Sequence, residues 1–309
     1  MEQAGLIVAS VSLLFWVGVL ILRGGFWRAD QRLTDSTPDL NPWPGVVCVI
    51  PARNEAPTIG GTVKSLLEQD YPGPVSVIVV DDNSDDGTAQ VANAAATKGL
   101  SVVTGKPLAD GWSGKLWAVK QGLDAAEEID ADAAYVLLTD ADITHDSESL
   151  RRLVAKAEVD GLNLVSLMVR LRCESLWEKL LIPAFIFFFQ KLYPFPWVND
   201  PSRPAAAAAG GCVLVRRRAL LDAGGVDAIC GRLIDDCALA ANIKKRGPIW
   251  LGLTEKVRSL RSYDSLAGIW RMVARTAFEQ LGNSPLLLIG AVLGMGVAYL
   301  VPPLASVGI

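Results

Sequence analysis

The chain has 309 residues, of which 51% are hydrophobic and 20% charged, with a formal net charge of −4. That is too apolar for an ordinary soluble domain and too charged for one wholly embedded in a bilayer, so a soluble catalytic domain with membrane segments attached fits both figures. The five cysteines include no C-x-x-C pair, and a single histidine excludes a multi-histidine metal site and argues against a histidine-based hydrolytic triad.

The first element is an apolar stretch, residues 5–22, that carries no charge and is just long enough to span a bilayer. Arg23, Arg28 and Arg32 follow it. The positive-inside rule then leaves the N-terminus outside and places everything after residue 22 in the cytoplasm, with residues 1–25 as the N-terminal anchor. Cys48 and Cys212 sit inside apolar runs and read as buried free thiols, which fits a reducing compartment. The inner membrane of a bacterium is the expected location.

Residues 44–280 alternate strands and helices. Val46–Ile50 is a strand that runs into Pro51-Ala52-Arg53-Asn54-Glu55, and Thr58–Gln69 is a helix. Val75–Val80 is the next strand and ends at Asp81-Asp82. Gly87-Thr88 opens a helix to about Lys98, and Leu100–Thr104 is a short strand. Ser113–Glu128 is helical, and Tyr135–Thr139 is a strand running into Asp140-Ala141-Asp142. A helix over Ser147–Val159 and a strand over Leu162–Leu171 follow. Continuous apolar runs rich in β-branched residues are strands buried on both faces. The order predicts an α/β, mostly parallel, Rossmann-like sheet with right-handed crossovers. Acidic pairs at the carboxyl ends of such strands lie where open sheets bind ligands, and they call for a cation or a polar ligand.

Leu176–Trp197 is rich in Leu, Phe, Trp and Tyr but is broken by Glu178, Lys179, Pro183, Gln190 and Lys191. Its apolar core, Leu180–Phe189, is too short to span, so residues 176–197 are expected to lie on the membrane as an interfacial segment; a buried core helix is the alternative. Ile234-Asp235-Asp236-Cys237 opens a helix over Ala238–Lys245, where the acidic pair could simply complement the helix dipole. Residues 285–309 carry no charge and read as a second membrane helix, with truncation or further spans after it expected. Residues 1–150 hold 9 basic and 21 acidic residues, a balance of −12, whereas residues 151–280 hold 20 and 12, a balance of +8. The acidic half suits a metal and the basic half suits phosphates or an anionic membrane surface.

Four motifs in order carry a resemblance: Pro-Ala-Arg-Asn-Glu (51–55), Val-Asp-Asp-Asn-Ser-Asp-Asp-Gly-Thr (80–88), Asp-Ala-Asp (140–142) and Asp-Asp (235–236). Together they resemble the signatures of family 2 inverting glycosyltransferases of GT-A fold, over nearly all of residues 44–280. Gly111–Ala118, Asp140–His145 and the membrane flanks are most similar to the hopanoid-associated (hopene-associated) members. The resemblance implies a nucleotide-sugar-binding half over residues 44–175 and an acceptor-side half over 198–280. It implies that Pro51, Ala52, Arg53 and Glu55 wrap the nucleotide, that Asp82 accepts a hydrogen bond from the base, and that Asp81 holds the loop. Asp140 would contact the ribose or share the metal, and Asp142 would bind Mg²⁺ or Mn²⁺, a hard cation suited to a diphosphate.

Some relatives place a metal-binding Gln two residues after the second Asp. Thr144 stands there in this chain, which leaves the third ligand open, with His145 a candidate. Lys115, at a helix start, could touch the diphosphate or remain a solvated lysine. Asp236 would be the general base toward the acceptor hydroxyl. Arg271 and Arg275, four apart on one helix face, could grip the diphosphate or meet lipid headgroups, and partly resemble the Q/R-x-x-R-W motif; Thr276 replaces its tryptophan, which disfavours a processive polymerase.

The expected partners are a nucleotide-sugar donor, a lipid acceptor and the membrane, with no nucleic acid. Transfer to a polyprenyl phosphate is one alternative. A non-catalytic membrane scaffold of the same fold is another, which the retained acidic motifs disfavour. A Rossmann dehydrogenase lacks its G-x-G-x-x-G after the first strand.

Overall fold

The computed structural model describes residues 2–34, 38–96, 98–232 and 234–307. Helix α1 (Glu2–Leu22) leads into β1 (Val46–Ala52), α2 (Ala56–Leu67), β2 (Val75–Asp81), α3 (Thr88–Ala94), β3 (Leu100–Thr104), α4 (Gly114–Ile129) and β4 (Tyr135–Thr139). There follow β5 (Ile143–His145), α5 (Ser149–Val159), β6 (Leu164–Arg170), α6 (Leu176–Leu192), α7 (Phe195–Asn199), β7 (Cys212–Arg216) and α8 (Arg217–Asp222). Helix α9 (Asp235–Lys244), β8 (Ile249–Ser259), α10 (Leu266–Gln280), α11 (Pro285–Met295) and α12 (Val301–Ser306) complete the order, with a π-helical turn over Gly296–Leu300 joining the last two.

The strands form one sheet in the order β3-β2-β1-β4-β7-β6-β8-β5. β1 pairs in parallel with β2 and β4, and β2 with β3. β7 runs antiparallel to both β4 and β6, β8 is parallel to β6, and β5 is antiparallel to β8. The mostly parallel sheet expected from the β-α-β order is therefore present, with two reversed strands, β5 and β7. One sheet runs through both expected halves of the catalytic region. Three strands, β5, β7 and β8, have no counterpart among the strands read from the sequence.

Each central strand feeds two cores. Val47, Val49, Ile78, Val80 and Val136 pack with α4 and α9 on one face. Val46, Cys48, Ile50, Val77, Val79 and Leu137 pack with α2 and α5 on the other. Burial on both faces is why these strands are continuous apolar runs with no alternation. Ala207, Ala208 and Ala209 are buried in the first core, so the alanine run is a close-packing segment beside α9.

Two stretches, Gly5–Leu22 and Pro285–Ser306, are long and apolar enough to cross a membrane. They meet one another: Trp16 Nε1 donates to the carbonyl of Ala298 at 2.6 Å, and the Trp16 ring lies edge-on to Tyr299. Helices α6 and α10 also turn apolar side chains outward, with Leu176, Leu180 and Phe187 on one and Leu266, Trp270 and Phe278 on the other. Glu178, by contrast, is fully buried in α6. It accepts the backbone N–H groups of Glu174, Ser175 and Tyr263, which ties α6 to the loop after β8. Burial alone would raise its carboxyl, but those donors outweigh it and hold the pKa at about 2.

Candidate active site

Strands β1, β2, β4 and β8 all end at the same edge of the sheet. Pro51 lies opposite Val80 and Ala52 opposite Asp81, so the loops after β1 and β2 leave together. They are laced to one another. Asn54 N–H donates to Ser84 Oγ, Asp85 N–H donates to Asn54 Oδ1, and Ala56 N–H donates to Asp86 Oδ2. Asp81 accepts from Ser84 N–H, as expected of a loop-holding residue. Asp82 faces the cavity and pairs at 3.4 Å with Arg53, which is mostly exposed.

Strand β7 runs the other way, so it begins where β4 ends: Cys212 lies opposite Thr139. That reversal delivers Gly210 and Gly211 to the edge where Asp140 and Asp142 sit. A Cβ on Gly210 would come within 3.2 Å of Lys115 Nζ and 3.3 Å of Asp236 Oδ2, so a larger residue would crowd both groups.

The result is a cavity of about 750 Å³. Pro51, Ala52, Arg53, Glu55, Asp82, Lys115, Asp140, Asp142, Asp236 and Arg271 all line it, so the fold gathers residues from six separate motifs. Its far wall is Phe185 and Phe189 of α6 and Met272 of α10. Arg275 lies on α10, and its side chain is outside the described residues. His145 does not line the cavity. Its ring is buried and lies 3.1 Å from Thr139 Oγ1, whose hydroxyl donates to the carbonyl of Gly211. Burial pushes the imidazole down to about 4, so it is neutral at physiological pH. Thr144 is also turned away, donating to the carbonyl of Arg258.

Lys115 is ion-paired, although its side chain remains 40% exposed. Ser113 caps its helix by accepting from Leu116 N–H, and the Lys115 ammonium sits 2.8 Å from Asp140 and 3.6 Å from Asp235. Burial would lower its pKa, but Asp140, Asp235 and Asp236 outweigh that and raise it above the usual lysine value. Asp236 is held differently. Its two oxygens accept the backbone N–H groups of Gly210, at 2.8 Å, and Cys237, at 2.7 Å. Burial first, then the charge of Asp235, push its carboxyl up to about 6 against the opposing pull of Lys115. Ile234 is the capping residue of α9 and makes no side-chain cap bond, while both acids stand in the first turn, where Asp236 takes the Cys237 N–H.

One cavity residue, Arg261, went unnoticed in the sequence. Ile143 of β5 lies opposite Ser259 of β8, so the end of β8 runs beside Asp142. Ser259 Oγ donates to Asp142 Oδ2 at 2.8 Å, and Arg261 Nε donates to the same oxygen at 3.2 Å. Arg261 Nη2 pairs with Glu55 Oε1, while Thr58 Oγ1 donates to the other Glu55 oxygen at 2.9 Å. Arg261 lies in no recognisable motif, and only the β5–β8 pairing could have pointed to it.

Residues 47–223 match the sequence profile described as "Glycosyl transferase family 2". The chain belongs to this family. A 4,4'-diaponeurosporenoate glycosyltransferase of Staphylococcus aureus is 39% identical over 94 residues, 28% of this chain and 24% of the relative. An N-acetylglucosaminyltransferase of Rhizobium leguminosarum bv. viciae is 33% identical over 94 residues, 29% of this chain and 22% of the relative. The chain thus spans about a quarter of the length of these curated family 2 relatives. The solved mannosyltransferase PcManGT from Pyrobaculum calidifontis, in complex with GDP-Man and Mn²⁺, superposes with a TM-score of 0.60 at 20% identity, over 98% of this chain and 90% of that one. This family 2 chain therefore has the GT-A fold, Rossmann-like with a mostly parallel sheet. The relatives found are not hopanoid-specific.

Proposed function

We propose that this chain is a membrane-anchored, inverting glycosyltransferase that moves a sugar from a nucleotide-diphosphate donor, a UDP-sugar first, to a lipid hydroxyl. A hopanoid-type terpenoid is the first acceptor to try. The reading rests on one arrangement. A carboxyl group raised to about 6 shares a single cavity with the donor-side acids, and that cavity is walled by two helices with outward apolar faces. The name of the Staphylococcus relative, which specifies 4,4'-diaponeurosporenoate, also supports transfer to a non-protein acceptor.

On this reading Asp82 and the 51–55 loop hold the nucleoside, and Arg271 meets the diphosphate from α10. The acceptor hydroxyl oxygen attacks the anomeric carbon from the side opposite the diphosphate. Its proton passes to the Asp236 carboxylate as the bond to the diphosphate oxygen breaks. A single displacement of this kind inverts the anomeric centre and needs one base. Asp140 and Asp142 offer hard oxygen donors on one turn, and Mg²⁺ or Mn²⁺ is commonly held by one or two carboxylates plus substrate phosphates, so the pair fits such an ion. Among the described residues no larger carboxylate, His or Cys cluster offers itself. Such an ion supplies neutralisation of the charge that grows on the departing diphosphate. We place the catalytic domain on the cytoplasmic side of a bacterial inner membrane, because Arg23, Arg28 and Arg32 follow the first apolar helix.

The test is transfer from UDP-sugars to a membrane lipid extract, with and without EDTA, read by mass spectrometry as a lipid shifted by one sugar. Failure of every lipid to gain mass with any donor would sink the proposal. Arg271 on the cavity wall favours a second acceptor class, a polyprenyl phosphate. That acceptor is already anionic, so Asp236→Asn would keep much of its activity on it and lose it on a hydroxyl.

A further inference from the structure

Asp142 and Glu55 come from different loops, and their side chains are only 8% and 18% exposed. Two carboxylates brought together with so little water need a cation between them. Arg261 supplies it, bonding Asp142 through Nε and Glu55 through Nη2. The Arg261 side chain is itself 45% exposed, so its head can leave without the chain unfolding. The backbone around it is pinned on both sides. Leu260 N–H donates to the carbonyl of Asp142 at 2.7 Å, and Tyr263 N–H donates to Glu178 at 2.7 Å. Any departure of the guanidinium is therefore a side-chain swing within the cavity.

We propose that Arg261 is the resident counter-cation of the Glu55–Asp142 pair and that a nucleoside diphosphate draws it off, so that a divalent metal enters this site together with the diphosphate and poorly alone. This rests on the donor-site reading given above. A metal arriving alone must displace the guanidinium from Asp142 and leave it only Glu55 and solvent as partners. A metal arriving with a diphosphate offers that guanidinium phosphate oxygens, which its planar fork matches in pairs. Uridine binding would not provide this exchange, because it brings no phosphate. Arg261 would thereby make metal and donor binding mutually reinforcing.

The experiment measures Mn²⁺ binding to the full chain in detergent by electron paramagnetic resonance. It is run alone, with uridine and with UDP, after correction for Mn²⁺ held by free UDP. In the wild type, UDP should tighten Mn²⁺ binding and uridine should not. Arg261→Gln should bind Mn²⁺ alone on the order of tenfold more tightly and lose most of the UDP enhancement. Arg261→Lys, which keeps the charge but not the fork, should fall between the two and serves if the glutamine variant does not fold. Unchanged or weaker binding of Mn²⁺ alone by the folded variants, in a chain whose wild type binds Mn²⁺ with UDP, overturns the role of Arg261 and leaves the donor site standing. A wild type that binds neither Mn²⁺ nor UDP under any of these conditions overturns the donor-site reading and this inference with it.

Discussion

Asp142 and Asp236 are the same side chain in one cavity, yet their surroundings differ in kind. Asp142 is met by a guanidinium and a hydroxyl on a single oxygen. Asp236 is met by two neutral backbone N–H groups, with the like charge of Asp235 beside it. A carboxylate answered by a full positive charge is ready to exchange one cation for another. A carboxylate bonded to backbone dipoles and crowded by another acid holds its proton more tightly, even with Lys115 pulling the other way. The same chemical group is thus suited to metal exchange at one end of the cavity and to proton transfer at the other.

Substitutions can break this comparison. Asp236→Asn should lower kcat by on the order of 10²- to 10⁴-fold, the usual worth of a general base, while UDP binding measured by calorimetry stays intact. An equal fall in UDP affinity would show that the two ends are not separate. Asp142→Ala should do the reverse, raising the donor KM roughly 10- to 100-fold through loss of charged contacts.

The pH profile sharpens the contrast further. The acid limb of kcat/KM should lie near 6, where Asp236 loses its proton. Asp235→Asn removes the like charge and should move that limb down. Lys115→Met removes a stabilising cation and should move it up. Stability carries the matching sign. Because the folded pKa of Asp236 is raised, its favourable contribution is complete below the ordinary value of 3.8 and is lost as pH rises through about 6. The Asp236→Asn protein should lack that slope in urea unfolding.

The smallest expected effect is structural. Glu178→Ala strands three backbone N–H groups and should cost about 1–3 kcal/mol in urea unfolding, with the loop that carries Arg261 loosened. The Glu178 pKa is depressed, so its contribution is present above the ordinary value of 4.5 and disappears as pH falls through about 2.

Much of this was legible before any coordinates. β1, β2 and β4 announced themselves because strands buried on both faces have to be continuously apolar, and the acids that end them fell at the ligand-binding edge. The helix read over Ser113–Glu128 is α4, within a residue at each end. The strands that escaped were of another sort. β7 follows an alanine run and the Gly210-Gly211 turn, and its five residues, Cys212–Arg216, are too short an apolar run to tell a strand from a buried helix. β8 has a polar second half, Thr254-Glu255-Lys256, over which it is only partly buried. β5 has three residues, too few for any period to register. His145 was attractive as a ligand because it stands three residues after Asp142, but sequence spacing does not say which way a ring turns, and this one turns to Thr139.

The sequence by itself determined the local terms: the parallel core strands, the acids at their ends, and the apolar helices at either side of the catalytic region. These follow from burial, propensity and charge within a few residues of one another. Only the tertiary structure decided the partners. Lys115 meets Asp140 and Asp235 at the ligand-binding edge, and Gly210 meets Asp236, and Arg261 meets Asp142 and Glu55, because the reversed strands β7 and β5 bring distant residues to that edge. Strand reversal is set by the packing of the whole sheet, and that is why the cation beside Asp142 could not be read from the residues around it.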